Sequence, residues 1–228
     1  MISKFHSDRV FFTSDTHFNH SNIINLCRRP FSSVDDMDDT LIKNWNTVVK
    51  PDDIVFHLGD FAFGDAAIWN SLLDKLQGHI YLICGNHDHK VLDSSNVCKR
   101  FKAVSDQMMI DVEGQKILLN HYPFLTYSTS RKTVWQLYGH VHSNPYTTAE
   151  DCSWFQHLLP IQYDVGADNN KYTPISFNQV KTIIQEKCRQ QECCPCRCLC
   201  GAGCSRPCCG RSGNPRHRAG GAATSRYN

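Results

Sequence analysis

The sequence predicts an α/β fold of four layers, a two-sheet β-sandwich flanked by helices. Two observations carry this. The opening third alternates apolar strand-like runs with helical periodicity in β-α-β-α-β order, the signature of a layered core. The second half then changes character, with a hairpin signal and isolated apolar runs that supply a second sheet.

Val10-Phe11-Phe12-Thr13 is β-branched and aromatic and ends at Ser14-Asp15, as a buried first strand does. A helix is expected from Ser33, with Asp36 in capping-box position and Leu41, Trp45 and Val48 at helical spacing before Pro51. Ile54-Val55-Phe56-His57-Leu58 forms the second strand, with Gly59-Asp60 at its end. Residues 66–76 read as a helix with Ile68, Leu72 and Leu76 on one face and Gly78 as its stop. Ile80-Tyr81-Leu82-Ile83 is the third strand. Residues 108–112 and 115–119 flank Glu113-Gly114 as a hairpin, and further strands fall at 133–138 and around Tyr163-Asp164-Val165. A last helix starts at Ser176, boxed by Gln179, and buries Val180, Ile183 and Ile184.

With 228 residues the chain suits one well-buried domain, and 41% hydrophobic with 20% charged residues is ordinary for a folded domain. No apolar run approaches the roughly 20 residues that span a bilayer. Lys4, His6, Asp8 and Arg9 replace an apolar signal core near the N-terminus, so no membrane association and a cytoplasmic location are expected. From Cys193 onward there are Arg197, Arg206, Arg211, Arg216, Arg218 and Arg226 but no acidic residue. Removing those six from 24 leaves 18 basic against 22 acidic residues in the body. An acidic body disfavours a grip on a nucleic-acid backbone and favours a small-molecule partner.

Nine of the 13 cysteines also fall from Cys188 onward, and the four before it (Cys27, Cys84, Cys98 and Cys152) read as reduced core thiols. Two regions are expected: a folded domain over 1–190 and a Cys/Arg/Gly-rich, disordered tail over 191–228. Cys193-Cys194-Pro195-Cys196-Arg197-Cys198-Leu199-Cys200 is dense enough in thiols for zinc or Cu(I), but lacks zinc-finger spacing.

The chemistry lies where the strands end. Three predicted strands run into Asp15-Thr16-His17, Gly59-Asp60 and Gly85-Asn86-His87-Asp88. Two later ones run into Asn120-His121 and Gly139-His140-Val141-His142. Ligands of open α/β sheets gather beyond the carboxyl ends of strands. Imidazole and carboxylate without thiolate suit Mn, Fe, Zn, Co or Ni, and the donors are too many for one tetrahedral site. Two cations sharing a carboxylate are the economical arrangement, and water held between them is a nucleophile at neutral pH.

These residues resemble the ordered motifs of the calcineurin-like metallophosphoesterases, from about residue 10 to 176. The match is closest to small bacterial and phage members that carry Ser14-Asp15-Thr16-His17-Phe18, Asn22-Ile23-Ile24 and Arg29-Pro30-Phe31. The resemblance implies a hydrolase of phosphate mono- or diesters with two divalent ions, Mn favoured. It places Asp15, His17 and His142 on the first ion, Asn86, His121 and His140 on the second, and Asp60 between them. It further implies His87 as general acid toward the leaving group, with Asp88 orienting it. Asn19 departs from the family pattern, in which glycine is expected.

His57, within an apolar strand, reads as a hydrogen-bonded core residue, and the acidic run at 35–39 as a solvated helix start. His20, Asn22 and Arg29 are equally suited to binding phosphate and to structural roles. A nuclease on the same site is the alternative within enzymes, with Tyr122, Phe124, Tyr127 and Trp135 as stacking groups. A catalytically silent scaffold is the alternative outside them, and it predicts missing ligands. The sequence leaves oligomeric state open.

Overall fold

The central strands are buried on both faces in the computed structural model, which describes residues 2–92, 95–127, 133–144, 155 and 157–192. Its strands are β1 (Ser3–Phe5), β2 (Val10–Thr13), β3 (Ile54–His57), β4 (His79–Ile83), β5 (Ala103–Ser105), β6 (Gln107–Val112), β7 (Gln115–Asn120), β8 (Val134–Tyr138), β9 (Gln162–Asp164) and β10 (Ile175–Ser176). The helices are α1 (Ser21–Leu26), α2 (Val34–Val48), α3 (Ala66–Lys75), α4 (His89–Leu92), α5 (Ser95–Cys98) and α6 (Phe177–Glu192). Contacts divide the chain into Met1–Arg189 and Gln190–Asn228, and the description concerns the first. The Cys-rich segment from 193 lies outside the described residues.

Two five-stranded mixed sheets result. One has the order β10-β2-β3-β4-β5, with β2 to β5 parallel and β10 antiparallel at the edge. The other has the order β1-β6-β7-β8-β9, where the antiparallel β6–β7 hairpin is flanked by parallel pairs. The hairpin turns through Glu113 (φ 50°) and Gly114 (φ 88°), two left-handed residues that match the twist of the strands.

Period-two alternation then separates two cores. Phe12, Phe56 and Ile83 of the first sheet meet Ile110, Ile117, Leu119 and Leu137 of the second, joined by Val180 and Ile184 of α6. On the opposite face of the first sheet, Val55, Ile80 and Leu82 pack with Met37, Leu41 and Trp45 of α2 and with Trp69, Leu72 and Leu73 of α3. Helices therefore flank the sandwich as the patterning predicts.

The helix ends follow the capping signals, with local differences. Ser33 accepts from Asp36 N at 3.1 Å, while the Asp36 carboxylate reaches back to Ser32 and not to Ser33. Ser176 and Gln179 form the full reciprocal box. The expected face of α3 packs on the core, with Leu72 and Leu76 buried and Ile68 partly so, and Trp69 and Leu73 widen it. The Trp69 indole N–H donates to Ala62 O at 3.1 Å. This helix ends at Lys75, before Gly78, whose left-handed φ of 93° instead turns the chain into β4.

Candidate metal centre

The parallel strands β2, β3 and β4 all end on one rim, and β7, β8 and β9 of the facing sheet end beside them. Asp15 and His17 follow β2, Asp60 follows β3, and Asn86, His87 and Asp88 follow β4. His121 follows β7, and His140 and His142 follow β8. All seven expected ligands converge there. Asp15, His17 and His142 bring ligand atoms within 4.8 Å of one another, and so do Asp60, His121 and His140. Asn86 joins the second group, its Oδ1 3.1 Å from His121 Nε2.

Asp60 lies between the groups. Its Oδ2 is 3.5 Å from His17 Nε2 and 3.6 Å from His121 Nε2. On the first side, Asp15 Oδ1 is 4.0 Å from His17 Nε2 and 3.7 Å from His142 Nε2. On the second, His140 Nδ1 stands 3.2 Å from His121 Nε2.

The backbone is strained to reach this arrangement. Asp15, His17, Asp60, His140 and His142 all adopt left-handed φ values, between 46° and 70°. Each such non-glycine residue costs on the order of 1–3 kcal/mol, and strain of this kind collects at functional sites. Close approach adds to it. A Cβ on Gly85 would run into Asp60, and one on Gly139 into Ser14 and Asp15. Asn19, where the family pattern led us to expect glycine, has φ 58°, and Asn is among the side chains best tolerated there.

Hydrogen bonds beneath the rim fix orientation. His121 Nδ1 lies 2.7 Å from Leu58 O, so it carries the proton and leaves the Nε2 lone pair facing Asp60. Asp15 Oδ2 accepts from His140 N at 2.9 Å, and Asp60 Oδ1 accepts from His87 N at 3.0 Å. The Asp88 carboxylate accepts from the backbone N–H groups of Asp60, Phe61 and Gly85 at 2.8, 2.9 and 2.8 Å. Asp88, expected to orient His87, thus holds the backbone around it, its buried oxygens satisfied by three converging amides.

The donor set fits cations. Asp15 Oδ1 and His17 Nε2 are buried with no hydrogen-bond partner, an expensive state for polar atoms unless something positive lies between them. Burial pushes the Asp15 carboxyl up, against the charges of His142 and His121. Burial also drives the His17 imidazole well below its ordinary value, aided by His142 and Arg29, so it presents a neutral nitrogen. At His142 burial works downward, but hydrogen bonds to Asp168 and Cys27 and the Asp15 charge outweigh it and lift the pKa to about 11.

His57 is a core residue as expected, its Nε2 2.9 Å from Thr16 Oγ1 and its pKa lowered by burial to about 3. Arg29 is fully buried, donating to Asp15 O, Thr16 O and both oxygens of Asp168. That settles it as structural support and removes it from phosphate binding. Asp168 is the residue the sequence reading missed: its Oδ2 meets His142 Nδ1 at 2.9 Å. It follows β9, so the rule that located the other clusters, applied to one more strand end, would have found it. His20 stacks on Phe63 at 3.7 Å, and Trp135 packs inside against Phe177, leaving Tyr122 as the exposed aromatic beside His121 and His140.

Residues 9–156 match the family model of the calcineurin-like phosphoesterase superfamily domain. The chain belongs to this superfamily. It is therefore a metal-dependent phosphoester hydrolase by family, acting on phosphoester substrates with divalent ions. An uncharacterized protein of Methanocaldococcus jannaschii is 41% identical over 180 residues, covering 78% of this chain and 92% of that one. The Gene 66 protein of Mycobacterium phage L5 is 29% identical over 164 residues, covering 59% of this chain and 77% of its own. The crystal structure of a protein of unknown function from Aquifex aeolicus superposes with a TM-score of 0.59 at 28% identity, over 76% of this chain and 98% of that one. Among the described residues, no helix is long and apolar enough to cross a membrane.

Proposed function

We propose that this phosphoesterase holds two divalent cations, one on either side of Asp60, and hydrolyses mono- or diesters of small phosphorylated molecules. The observation that carries the reading is the single Asp60 oxygen facing both His17 and His121, at 3.5 and 3.6 Å. Asp15, His17 and His142 hold one cation, and Asn86, His121 and His140 the other. Cations bound there supply Lewis acidity and a nucleophile at neutral pH, and manganese is the favoured ion.

The chain's own groups do the rest. Neutral His17 presents a lone pair without a proton to displace, and His121 turns Nε2 toward Asp60 because Leu58 O holds its Nδ1. The His87 ring is 45% exposed, with Nε2 3.9 Å from Asp60 Oδ2, at the mouth of the site. There it donates a proton to the departing ester oxygen, while Asp88 holds its loop in place. The acidic body favours small esters over polynucleotides.

The test is hydrolysis of chromogenic phosphate mono- and diesters, with single-stranded DNA as a further substrate, by wild type, Asp60→Asn and His87→Ala. Wild type with manganese is expected to turn over the small esters, and Asp60→Asn to lose that turnover. His87→Ala is expected to fall about 10²–10⁴-fold on an alkyl ester and less on a nitrophenyl ester, whose leaving group needs no proton. Inert wild type with every divalent ion defeats the enzyme reading, and faster cleavage of DNA than of small esters defeats the substrate class.

A further inference from the structure

A second group of donors lies outside the Asp60 centre, at the adjoining ends of β4 and β5. We propose that Cys84, His89 and Asp106 form a third cation site, one that takes a thiophilic divalent ion of the zinc class.

The sheet builds it. β4 and β5 run parallel with Ile83 opposite Ser105, and Cys84 N donates to Ser105 O at 2.9 Å. Cys84 and Asp106, each one residue past those paired positions, therefore emerge side by side. The chain leaves Cys84 through Gly85-Asn86-His87-Asp88 and returns at His89, the first residue of α4. One sulfur, one imidazole nitrogen and one carboxylate oxygen then lie within 4.8 Å of one another.

The donors suit zinc. Its bonds of about 2.0–2.3 Å place tetrahedral ligands roughly 3.3–3.8 Å apart, so closure needs about 1 Å of side-chain movement. His89 and Asp106 are exposed and can rotate that far without disturbing the core, while half-buried Cys84 anchors the site. Three protein ligands leave a fourth position for water. Once the ion has displaced the thiol proton, the Cys84 sulfur selects zinc over manganese, so this site and the sulfur-free centre at Asp60 differ in the ion they prefer.

The location assigns a role. Cys84 and His89 bracket the loop that carries Asn86 and His87, and Asp106 belongs to the neighbouring strand's end. A cation here pins both ends of that loop to β5. The site stands on its own donors, whatever the outcome at Asp60; only its effect on catalysis rests on the function proposed above.

The experiment uses the full chain with zinc. An anomalous difference map at the zinc edge is expected to show a peak among Cys84 Sγ, the His89 ring and the Asp106 carboxylate. Zinc bound only at the Asp60 centre or elsewhere on the chain overturns the proposal. In solution, Cys84→Ser and His89→Ala are each expected to bind one zinc fewer than wild type. With the Asp60 centre first filled with manganese, added zinc is expected to slow amide exchange at Asn86 and His87 further in wild type but not in the variants. His89 is exposed, so its replacement leaves the fold intact, and an unchanged zinc count in that variant overturns the site. Manganese binding by Asp60→Asn is counted separately, so failure of the catalytic centre and failure of the third site are distinguishable.

Discussion

Arg29 and Asp168 form a buried two-point ion pair, Nε to Oδ1 and Nη2 to Oδ2, both at 2.9 Å. The same guanidinium donates to Asp15 O and Thr16 O at 2.7 and 2.9 Å, so one side chain joins the loop after β2 to the loop after β9. Removing it leaves Asp168 with His142 as a partner on one oxygen only, and takes the donor from two carbonyls in a water-poor interior. Arg29→Ala is expected to cost about 3–5 kcal/mol of stability, read from urea unfolding. Arg29→Lys restores little, because a point charge cannot reproduce the planar fork. A loss under about 1 kcal/mol would show that water satisfies these groups.

Asp168 also orients His142 through Nδ1, at 2.9 Å. Partners of this kind set a ligand's direction and basicity, and losing one weakens metal affinity about 10–100-fold. Asp168→Asn is expected to shift a manganese titration by that amount while turnover recovers at saturating metal. Turnover that stays low with the metal saturated would assign Asp168 a more direct part.

The legible part of this molecule was the part written in local pattern. The β2, β3 and β4 runs, the Glu113-Gly114 hairpin and the Ser176 box are each set by a few neighbouring residues. The ligand clusters were legible because each closes a strand. Less legible were contacts that depend on the completed fold. β1 has three residues, and its pairing with β6 depends on a strand more than a hundred positions away. Asp88 looked like the partner of its sequence neighbour His87, but chain reversal presents it with three amides from Asp60, Phe61 and Gly85. Arg29 stayed open between phosphate binding and a structural role because nothing local reveals that Asp168, 139 positions on, takes the Nε–Nη2 edge of its guanidinium.

Gly139 tests close packing at the rim separately from backbone strain. A Cβ there would overlap Ser14 and the Asp15 carboxylate, whereas at Gly114 it would meet nothing within 4 Å. Gly139→Ala is therefore expected to displace Asp15 and abolish metal-induced stabilisation in a thermal melt. Gly114→Ala suffers only its left-handed φ of 88°, costs on the order of 1–3 kcal/mol, and keeps the metal response. Equal metal responses in the two variants would show that the rim relaxes around a methyl group.

Asp38 supplies a pH dependence away from the metal centre. Burial, then the charges of Asp35 and Asp39, raise its pKa from 3.8 to about 6, despite the hydrogen bond from Asn19 N. In the folded state it thus holds a proton that the unfolded chain has released between those two values. The stabilisation from that proton is complete below about pH 3.8 and is lost as pH rises through about 6. Asp38→Asn is neutral at every pH, keeps an acceptor for Asn19, and has no such loss. Its melting temperature relative to wild type is expected to climb between pH 4.5 and pH 7.5, measured without added metal. A difference that stays flat across that interval, or falls, would mean that the Asp38 carboxylate is as well solvated in the folded protein as in the unfolded chain.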